Sequence, residues 1–252
     1  ALYDRLDKTK IYESSSLLDI SPFEQITDDM QKELLISNAK SRVRDPKDYK
    51  LIGQELQQSM IMSSSDSNDW LDRRFNYSTS LASTSICGYI IGLGDRHLRN
   101  IMINNSTSKL VHIDFGDSFE VANNRVVFAE REPFRMTRMI VNALDGGSVD
   151  GLFRRSGQEL LWVLRENQSS VIAQLEVFVH EPIFNGREIR SNEKEQKGLL
   201  EKVASKLSGR DPEPFDNPNV ELDVEQQVDT LIKLAADPKE YVRHYIGWCP
   251  FW

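Results

Sequence analysis

Apolar positions recur at helical spacing along most of the chain before residue 90. Thr27 can cap a first helix, and Asp45-Pro46 restarts the pattern, because proline suits the first helical turn. A polar stretch over residues 63–68 then precedes a third predicted helix, capped by Asp69. The apolar faces of these three helices comprise Met30, Leu34, Leu35 and Val43, then Tyr49, Ile52, Leu56 and Met60, then Trp70, Phe75, Leu81, Ala82 and Ile86.

The pattern changes at Gly88, after which the apolar runs are short. Residues 101–103 and 110–113 are apolar, and Asn104-Asn105-Ser106 between them suits a turn, so we predict a hairpin. Helical spacing returns near residues 134–144, 157–166, 170–179 and 224–236. The charged stretch 185–197 is interpreted as a linker, and the prolines of 211–218 predict a break. The fold class is therefore mainly α with one small β-hairpin.

The last twelve residues are rich in aromatic side chains: Tyr241, Tyr245, Trp248, Phe251 and Trp252. They can pack beneath the last helix or insert into a membrane interface. We favour packing against the body of the protein, because an exposed aromatic patch of this size is costly in water. Trp248 and Trp252 are accordingly expected to be buried.

Composition and charge argue against several classes of function. The 252 residues carry 31 basic and 39 acidic side chains, a net charge of −8, which is unsuited to general nucleic-acid binding. No apolar run approaches the ~20 residues of a membrane-spanning helix. Cys87 and Cys249 lie too far apart for a disulfide framework or zinc site, and favour a reducing compartment. The first residue is Ala1 rather than Met, so we expect a longer parent protein.

The central segment, residues 92–116, carries the chemistry. Asp95 precedes Asn100 by five residues, and the predicted hairpin separates Asn100 from Asp114-Phe115-Gly116. This is the spacing at which kinases place the Asp that orients the attacking hydroxyl and the two residues that hold metal ions. The order Asp95-Arg96-His97 inverts the usual His-Arg-Asp, which puts His97 on the substrate side, where it can handle a proton or stabilise the γ-phosphate.

Each of these motifs is weak by itself. An isolated Asp-Phe-Gly is more often a turn, an isolated His97 is more often structural, and Asp95-Arg96 could be a local ion pair. Asp, His and Asn at these intervals, followed by a hairpin and Asp-Phe-Gly, would rarely recur by chance. The combination therefore predicts phosphoryl transfer.

The sequence resembles the phosphatidylinositol-3-kinase-related protein kinases, and within them the target-of-rapamycin (TOR) kinases. The strings that carry the resemblance are GDRHLRN at 94–100, HIDFGDSFE at 112–120, DRRFNYSTSLA at 72–82, PFRMTRM at 133–139, SGRD at 208–211 and YIGWCPFW at 245–252. The resemblance implies a protein-kinase-like C-lobe (the large lobe) over residues 1–215, with the N-lobe absent from this sequence. An activation loop from 114 to about 137 and an FATC tail over 216–252 complete the implied organisation.

The resemblance also implies roles for individual residues. Asp95 and His97 match the catalytic Asp and His, and Asn100 and Asp114 match the metal ligands. Met102 and Ile113 match residues at the floor of the adenine pocket, although their pattern alone describes hairpin core. The implied cofactors are ATP and Mg²⁺, with Mn²⁺ as the alternative metal, and the implied acceptors are Ser and Thr of proteins in growth and nutrient signalling.

The implied partners are protein substrates, an upstream N-lobe of the same polypeptide, a HEAT-repeat scaffold subunit and a β-propeller subunit. Residues 19–69 lie where TOR kinases carry a helical insertion that docks the propeller, but they could equally be two helices of a larger core. The implied location is the cytoplasm, at endomembranes such as the lysosome or vacuole.

Three departures from the family pattern stand out. No Gly-rich phosphate loop or phosphate-binding Lys precedes residue 94, the usual long insertion shrinks to about 185–197, and the tail lacks a second Cys near Cys249. The third departure argues against a redox loop in the tail.

A phosphoinositide lipid kinase and a non-catalytic scaffold module are the alternative functions. Residues 114–136 carry three basic side chains against five acidic ones, which favours a protein hydroxyl over a phosphorylated head group. Retention of Asp95, His97, Asn100 and Asp114 argues against a scaffold.

Overall fold

The computed structural model describes residues 53–125, 128–180, 193–211 and 221–237, together with Tyr241, His244 and residues 246–248. These residues form seven α-helices: α1 Glu55–Met62, α2 Ser67–Ile90, α3 Arg138–Asn142, α4 Leu152–Glu166, α5 Gln168–His180, α6 Glu193–Leu207 and α7 Val224–Ala235. They also form the strands β1 Ile101–Ile103 and β2 Leu110–His112, which confirms the predicted fold class. In this part of the chain no helix is both long and apolar enough to cross a membrane. The helices predicted before residue 53, together with Cys249 and Trp252, lie outside the described residues.

Helix α2 is the central element, 24 residues and roughly 36 Å long. Its cap is Asp66, whose carboxylate accepts hydrogen bonds from the backbone N–H groups of Asn68 and Asp69. The prediction that Asp69 caps this helix was therefore wrong, and the polar connection is shorter than expected. Asp69 lies in the first turn, where the Ser65 N–H and then Arg73 lower the pKa of its carboxyl.

The buried face of α2 differs from the predicted one by one aromatic residue. Leu81, Ala82 and Ile86 are buried as expected, but Phe75 is 56 % exposed. Tyr77 is fully buried instead, and its hydroxyl donates to the Ile140 carbonyl at 3.0 Å. Two positions along a helix correspond to a rotation of about 200°, so Phe75 and Tyr77 cannot both face the core.

The predicted hairpin is present and antiparallel, with Met102 opposite Val111 and Ile103 opposite Leu110. Its loop is longer than the predicted three-residue turn. The Asn104 side-chain oxygen accepts from the N–H groups of Ser106 and Thr107, which stabilises the first half of the loop. One face of the hairpin packs on the core near α2, and the Leu110 N–H donates to the Ser80 hydroxyl there.

The helix predicted over 134–144 is only five residues long, from Arg138 to Asn142. The residues before it do not continue the helix, because their groups bond elsewhere. The Met136 N–H donates to the Tyr241 hydroxyl at 2.8 Å, and the Phe134 ring packs edge-on against Phe153 at 6.4 Å. This bent segment brings the end of the activation loop against the tail.

Helix α6 corrects the predicted linker at 185–197. Residues 193–197 are its first residues, and residues 185–192 lie outside the described part of the chain. The sequence EKEQK that opens α6 is made of strong helix formers, which explains why a charged stretch is helical here. Helices α4 and α5 begin five and two residues before the predicted starts at 157 and 170.

Helix α7 and the residues after it pack against the body of the protein. Asp223 and Gln226 form a reciprocal capping box, and Val228, Leu231 and Ile232 face the core as predicted. Tyr241, His244 and Trp248 follow as a stacked cluster, with the His244 and Trp248 rings 4.1 Å apart. Trp248 is only 4 % exposed, which confirms packing over membrane insertion for this residue.

Candidate active site

Residues 91–100, which we call the catalytic loop, follow directly after α2. They lie against residues 114–137, the implied activation loop, which we call the activation segment. Gly94 N–H donates to the Asp117 carbonyl, and Glu120 N–H donates to the Gly92 carbonyl, both at 2.9 Å. A Cβ on Gly92 would approach the Glu120 nitrogen to 2.7 Å, and one on Gly94 would approach the Ala122 Cβ to 2.1 Å. Glycine is therefore required at both positions by the close approach of the two segments.

Asp95 adopts a left-handed backbone conformation with φ of 57°. Non-glycine residues rarely adopt this region, and such strain is common at functional sites. The Asp95 N–H donates to Glu130 Oε2 at 2.8 Å, which holds the strained residue from the activation segment. Glu130 is buried, and burial, then the neighbouring Glu132, raise the pKa of its carboxyl.

His97 lies beside Asp95 in a defined orientation. Its Nδ1 accepts a hydrogen bond from the Arg99 N–H at 3.1 Å and so caps the short turn Leu98–Asn100. Because Nδ1 is an acceptor, the neutral ring carries its proton on Nε2, which lies 3.7 Å from Asp95 Oδ2. The imidazole N–H and the carboxylate can therefore act on one hydroxyl group.

The structure brings Asn100 and Asp114 together as the sequence spacing predicts. Asn100 Nδ2 donates to the Asp95 carbonyl at 2.9 Å and to Asp95 Oδ2 at 3.3 Å. The Ile113 N–H donates to the Asn100 carbonyl at 3.1 Å, which places the following residue, Asp114, beside the catalytic loop. Asp114 is also left-handed, with φ of 58°, and its Oδ1 accepts from the Gly116 N–H.

The donor atoms of this site fit a hard divalent cation. The Asn100 amide nitrogen is committed to Asp95, so its oxygen is the atom left for a ligand, and Asp114 supplies a carboxylate. Within the described residues no group of three or more His, Cys, Asp or Glu side chains is arranged to hold a metal. Mg²⁺ is usually bound by one or two protein oxygen ligands, and phosphate and water oxygens complete its coordination.

Arg96 does not form the local ion pair with Asp95 that the sequence allowed. Its buried guanidinium donates to backbone carbonyls on both sides of the hairpin: Gly94 at 2.7 Å, Ile113 at 2.9 Å, Asp114 at 2.5 Å and Asn100 at 3.5 Å. Burial lowers the pKa of this arginine, and the surrounding carboxylates oppose that shift. Arg96 thereby joins the catalytic loop to the Asp114 turn.

The outward face of the hairpin is apolar and exposed. Met102 is 53 % exposed and Ile113 40 %, so neither is the hairpin core residue that the pattern alone suggested. Val111 lies opposite Met102 and is 50 % exposed, and Phe115 lies just beyond Ile113. Met102, Val111 and Ile113 form a flat apolar surface next to Asp114, which we call the outward hairpin face.

The activation segment is anchored to α6 by a buried ion pair. Lys206 and Glu120 pair directly, and Lys206 Nζ also donates to the Tyr89 carbonyl at 2.8 Å. The Tyr89 hydroxyl donates to Asp211 at 2.9 Å, and Gln227 Nε2 donates to that hydroxyl at 3.1 Å. This network links α2, α6 and α7 to the segment that carries Glu120.

A cavity of about 320 Å³ lies between the catalytic loop, the activation segment and the end of α6. Four basic and four acidic side chains line it: Arg96, Arg131, Arg135 and Lys206, and Glu120, Glu130, Glu132 and Asp211.

Sequence reasoning missed Arg96, Glu130 and Val111 as members of the site. Val111 could have been found, because an antiparallel register that places Met102 outward places its partner outward too. Arg96 and Glu130 act through contacts with residues 17 to 35 positions away, and no sequence signal marks those contacts.

Comparison with known proteins places this geometry in a family. The family model described as "Phosphatidylinositol 3- and 4-kinase" matches residues 9–187, and the FATC domain model matches residues 221–252. The chain is 39 % identical over 225 residues to the target of rapamycin homolog of Caenorhabditis elegans, and 37 % identical over 242 residues to the serine/threonine-protein kinase TOR2 of Saccharomyces cerevisiae. Each alignment covers 79 % of this chain, and 8 % and 10 % of the relative.

Solved structures agree with this result. The Tel1 kinase butterfly symmetric dimer matches with a TM-score of 0.69 and 30 % identity, over 95 % of this chain and 10 % of that one. The FAT and kinase domain of CtTel1 matches with a TM-score of 0.66 over 90 % of this chain and 16 % of that one, at 24 % identity, which shows the fold alone. The chain thus spans about a tenth of the length of its curated relatives.

Both implied domain boundaries, 215 and 216, fall outside the described residues and stay predictions. The matching family model, the TOR relatives and the kinase-like arrangement around Asp95, Asn100 and Asp114 all agree. The chain therefore belongs to the phosphatidylinositol 3- and 4-kinase family, in its target-of-rapamycin type, and carries an FATC domain.

Proposed function

We propose that the protein containing this chain transfers the γ-phosphate of ATP to Ser or Thr hydroxyls of other proteins. The observation that carries the proposal is the hydrogen-bonded unit in which Asn100 joins Asp95 on one side and the Asp114 turn on the other. Among the parts that phosphoryl transfer needs are a residue that orients the attacking hydroxyl and two metal ligands. Asp95 and Asn100 of this unit are in contact, and Asp114 follows the Ile113 N–H that bonds Asn100.

Each residue has a separate task in this mechanism. The Asp95 carboxylate accepts the proton of the attacking hydroxyl, and His97 Nε2–H, 3.7 Å away, donates to the oxygen that gains charge. Asn100 and Asp114 would hold a divalent cation, and a bound cation neutralises charge on the phosphates. Glu130 and Arg96 fix the backbones of the two aspartates before substrate arrives.

The outward hairpin face supports nucleotide binding beside Asp114. Met102, Val111 and Ile113 present an apolar surface of the kind on which an adenine ring packs. We propose ATP with Mg²⁺ as the working cofactor, with Mn²⁺ as the alternative. An N-lobe elsewhere in the polypeptide would cover the second side of the nucleotide, so the isolated 252 residues should turn over ATP poorly.

A protein acceptor is favoured over a lipid by the charges beside the catalytic loop. Residues 114–136 carry three basic side chains against five acidic ones, whereas a phosphorylated inositol ring requires a clear excess of basic ones. Two relatives of this chain, TOR2 of Saccharomyces cerevisiae and tor1 of Schizosaccharomyces pombe, are named serine/threonine-protein kinases, which supports the same choice.

The proposed partners are protein substrates, an N-lobe of the same polypeptide and a β-propeller subunit that would dock on the insertion at residues 19–69, all from the family resemblance. A HEAT-repeat scaffold subunit and a cytoplasmic location at endomembranes, such as the lysosome or vacuole, are proposed from the resemblance alone.

The test is a phosphotransfer assay on the full-length protein with labelled ATP, a Ser/Thr peptide library and phosphoinositide vesicles. We expect label on peptides and its near-complete loss in Asp95→Asn, because the proton acceptor is gone. Asp150→Asn, an exposed acid on another surface, serves as the matched control. Label on lipid alone would establish the lipid-kinase alternative, and no transfer by a folded protein would favour the scaffold.

A further inference from the structure

Two buried arginines connect the tail to the Asp114 turn. Arg96 and Arg135 are each 3 % exposed, and they come from different segments: Arg96 from the catalytic loop and Arg135 from the end of the activation segment. Buried arginines are uncommon, and ordinarily each is satisfied by carboxylates. Within the described residues both guanidinium groups donate hydrogen bonds to backbone carbonyls, so they fix chain positions.

Arg135 contacts the tail through its charge and its hydrogen bonds. Its Nη1 donates to the Trp248 carbonyl at 2.6 Å, and its Cζ lies 4.1 Å from the centre of the Trp248 ring. On its other side the Trp248 ring stacks on His244, whose Nε2 lies 2.9 Å from Glu132 Oε2. The ring is therefore held between two groups, and its position determines where the Arg135 guanidinium lies.

The same Arg135 nitrogen donates to the Arg96 carbonyl at 3.3 Å. Arg96 in turn donates to the carbonyls of Ile113 and Asp114. Asp114 has a left-handed backbone, which persists only where surrounding contacts enforce it. The contacts form one continuous path: Trp248, Arg135, Arg96, Asp114.

We propose that Arg135 is a positioning residue that sets the metal affinity of the site, by transmitting the packed position of Trp248 through Arg96 to Asp114. This inference rests on the proposed function, since it assigns Asp114 to a metal ion. Residues behind metal ligands commonly change metal affinity 10- to 100-fold when they are replaced. A role in packing alone would lower stability and leave metal affinity unchanged.

The test compares Arg135→Met and Arg135→Lys with the wild-type full-length protein. Two quantities are measured: Mn²⁺ binding by electron paramagnetic resonance with a non-hydrolysable ATP analogue, and the Mg²⁺ concentration for half-maximal turnover. We expect Arg135→Met to weaken Mn²⁺ binding about 10-fold and to raise the Mg²⁺ requirement. Arg135→Lys keeps the charge over the Trp248 ring and a hydrogen-bond donor, so its Mn²⁺ affinity should lie between those of the wild type and Arg135→Met.

Two controls separate positioning from stability. Ile232→Val removes a methyl group from the buried face of α7 without touching the path, and should lower the melting temperature with unchanged metal affinity. Arg155→Met makes the same chemical change at an exposed arginine that pairs only with Glu159 within the described residues, and should change neither quantity.

The outcomes are distinct. Unchanged Mn²⁺ affinity in folded Arg135→Met overturns the proposal, and if that variant does not fold, unchanged affinity in Arg135→Lys overturns it instead. If the wild-type protein binds Mn²⁺ with the analogue and both Arg135 variants bind it with the same affinity, only this inference is contradicted. A wild-type protein that binds neither metal nor nucleotide refutes the proposed function as well.

Discussion

The outward hairpin face and the tail cluster, formed by Tyr241, His244 and Trp248, flank the same catalytic loop but differ in exposure to solvent. Met102 and Val111 on the hairpin are about half exposed, whereas Tyr241 and Trp248 in the tail are almost completely buried. The hairpin face lies directly beside Asp114, and Trp248 reaches Asp114 through three successive contacts, by way of Arg135 and Arg96. Only the tail cluster is already packed.

This difference separates binding from stability. Buried aromatic rings such as Trp248 each stabilise the folded chain by ~2–3 kcal/mol. Exposed side chains such as Met102 contribute little to folding and remain able to bind an apolar ligand. Substitutions on the hairpin should therefore change ligand binding or turnover with little loss of stability. Substitutions in the tail should lower the free energy of unfolding, and with it the metal affinity that we propose depends on Trp248.

The largest expected effect is that of Asp114→Asn at the edge of the hairpin. Loss of the carboxylate should reduce turnover by about a thousandfold or more, because a bound metal contributes several kcal/mol to the transition state. Folding should survive, since Asp114 is exposed and Asn also tolerates a left-handed backbone. Turnover and melting temperature of the purified full-length protein check this, and full activity in a folded variant would contradict the metal-ligand assignment.

The next effect concerns the tail. Trp248→Ala should lower the free energy of unfolding by about 3–5 kcal/mol, because it empties a packed site. Trp248→Phe, which keeps an aromatic ring over Arg135, should lower it less. Deletion of residues 246–252 should reduce both melting temperature and activity, although it removes no catalytic group. Denaturant unfolding of the full-length protein measures the change, and unaltered stability after deletion would revive the membrane interpretation.

A smaller effect is expected at His112, on β2 beside Ile113. Burial, and then the charge of Arg96, lower the pKa of His112 from 6.5 to about 4. The folded state therefore binds fewer protons than the unfolded state between these values, so stability is complete above pH 6.5 and falls as the pH drops towards 4.

The pH dependence of stability in His112→Gln tests whether His112 causes part of the loss of stability in acid. Between pH 7 and pH 5 the variant should lose about 2 kcal/mol less stability than the wild type, because it lacks the group whose pKa is 6.5 unfolded and about 4 folded. Denaturant melts of both proteins at pH 7 and about pH 5 give the comparison, in which parallel pH dependence would exclude His112 as the cause.

The smallest effect is that of Met102→Ala on the outward hairpin face. We expect the KM for ATP to rise about 3- to 10-fold, in line with the loss of a partly buried apolar side chain, with unchanged melting temperature. The matched control is Met62→Ala, at the exposed end of α1 and outside the site. A marked fall in the melting temperature of Met102→Ala with an unchanged KM for ATP would show that the hairpin face serves stability rather than binding.

The parts of the fold that depend on local signals could be predicted from the sequence. The hairpin follows from two apolar runs around Asn104, and the buried face of α7 follows from the spacing of Val228, Leu231 and Ile232. Asp95, Asn100 and Asp114 could be named as candidates because the Asp95-to-Asn100 interval and the Asp-Phe-Gly triplet are local as well. Met102 and Ile113 were named only through the family resemblance, and the pattern alone wrongly made them hairpin core.

The remainder depends on contacts distant in sequence. The Met136 N–H pairs with the Tyr241 hydroxyl 105 residues away, so the helix predicted over 134–144 cannot extend to Phe134. Helix α6 was missed because its charged opening residues match a linker as well as an exposed helix. The tasks of Arg96 and Glu130 depend on backbone groups, which composition and spacing do not reveal.

The left-handed backbone at Asp95 and Asp114 restricts which amino acids a mutational scan would recover at these positions. Only glycine, asparagine and aspartate adopt that conformation readily, and β-branched residues are penalised most. A scan selected for soluble, folded protein should thus retain Gly and Asn at both sites, while one selected for turnover should retain Asp alone. Amino acids recovered for folding but not for turnover would show which restriction comes from the backbone conformation and which comes from catalysis.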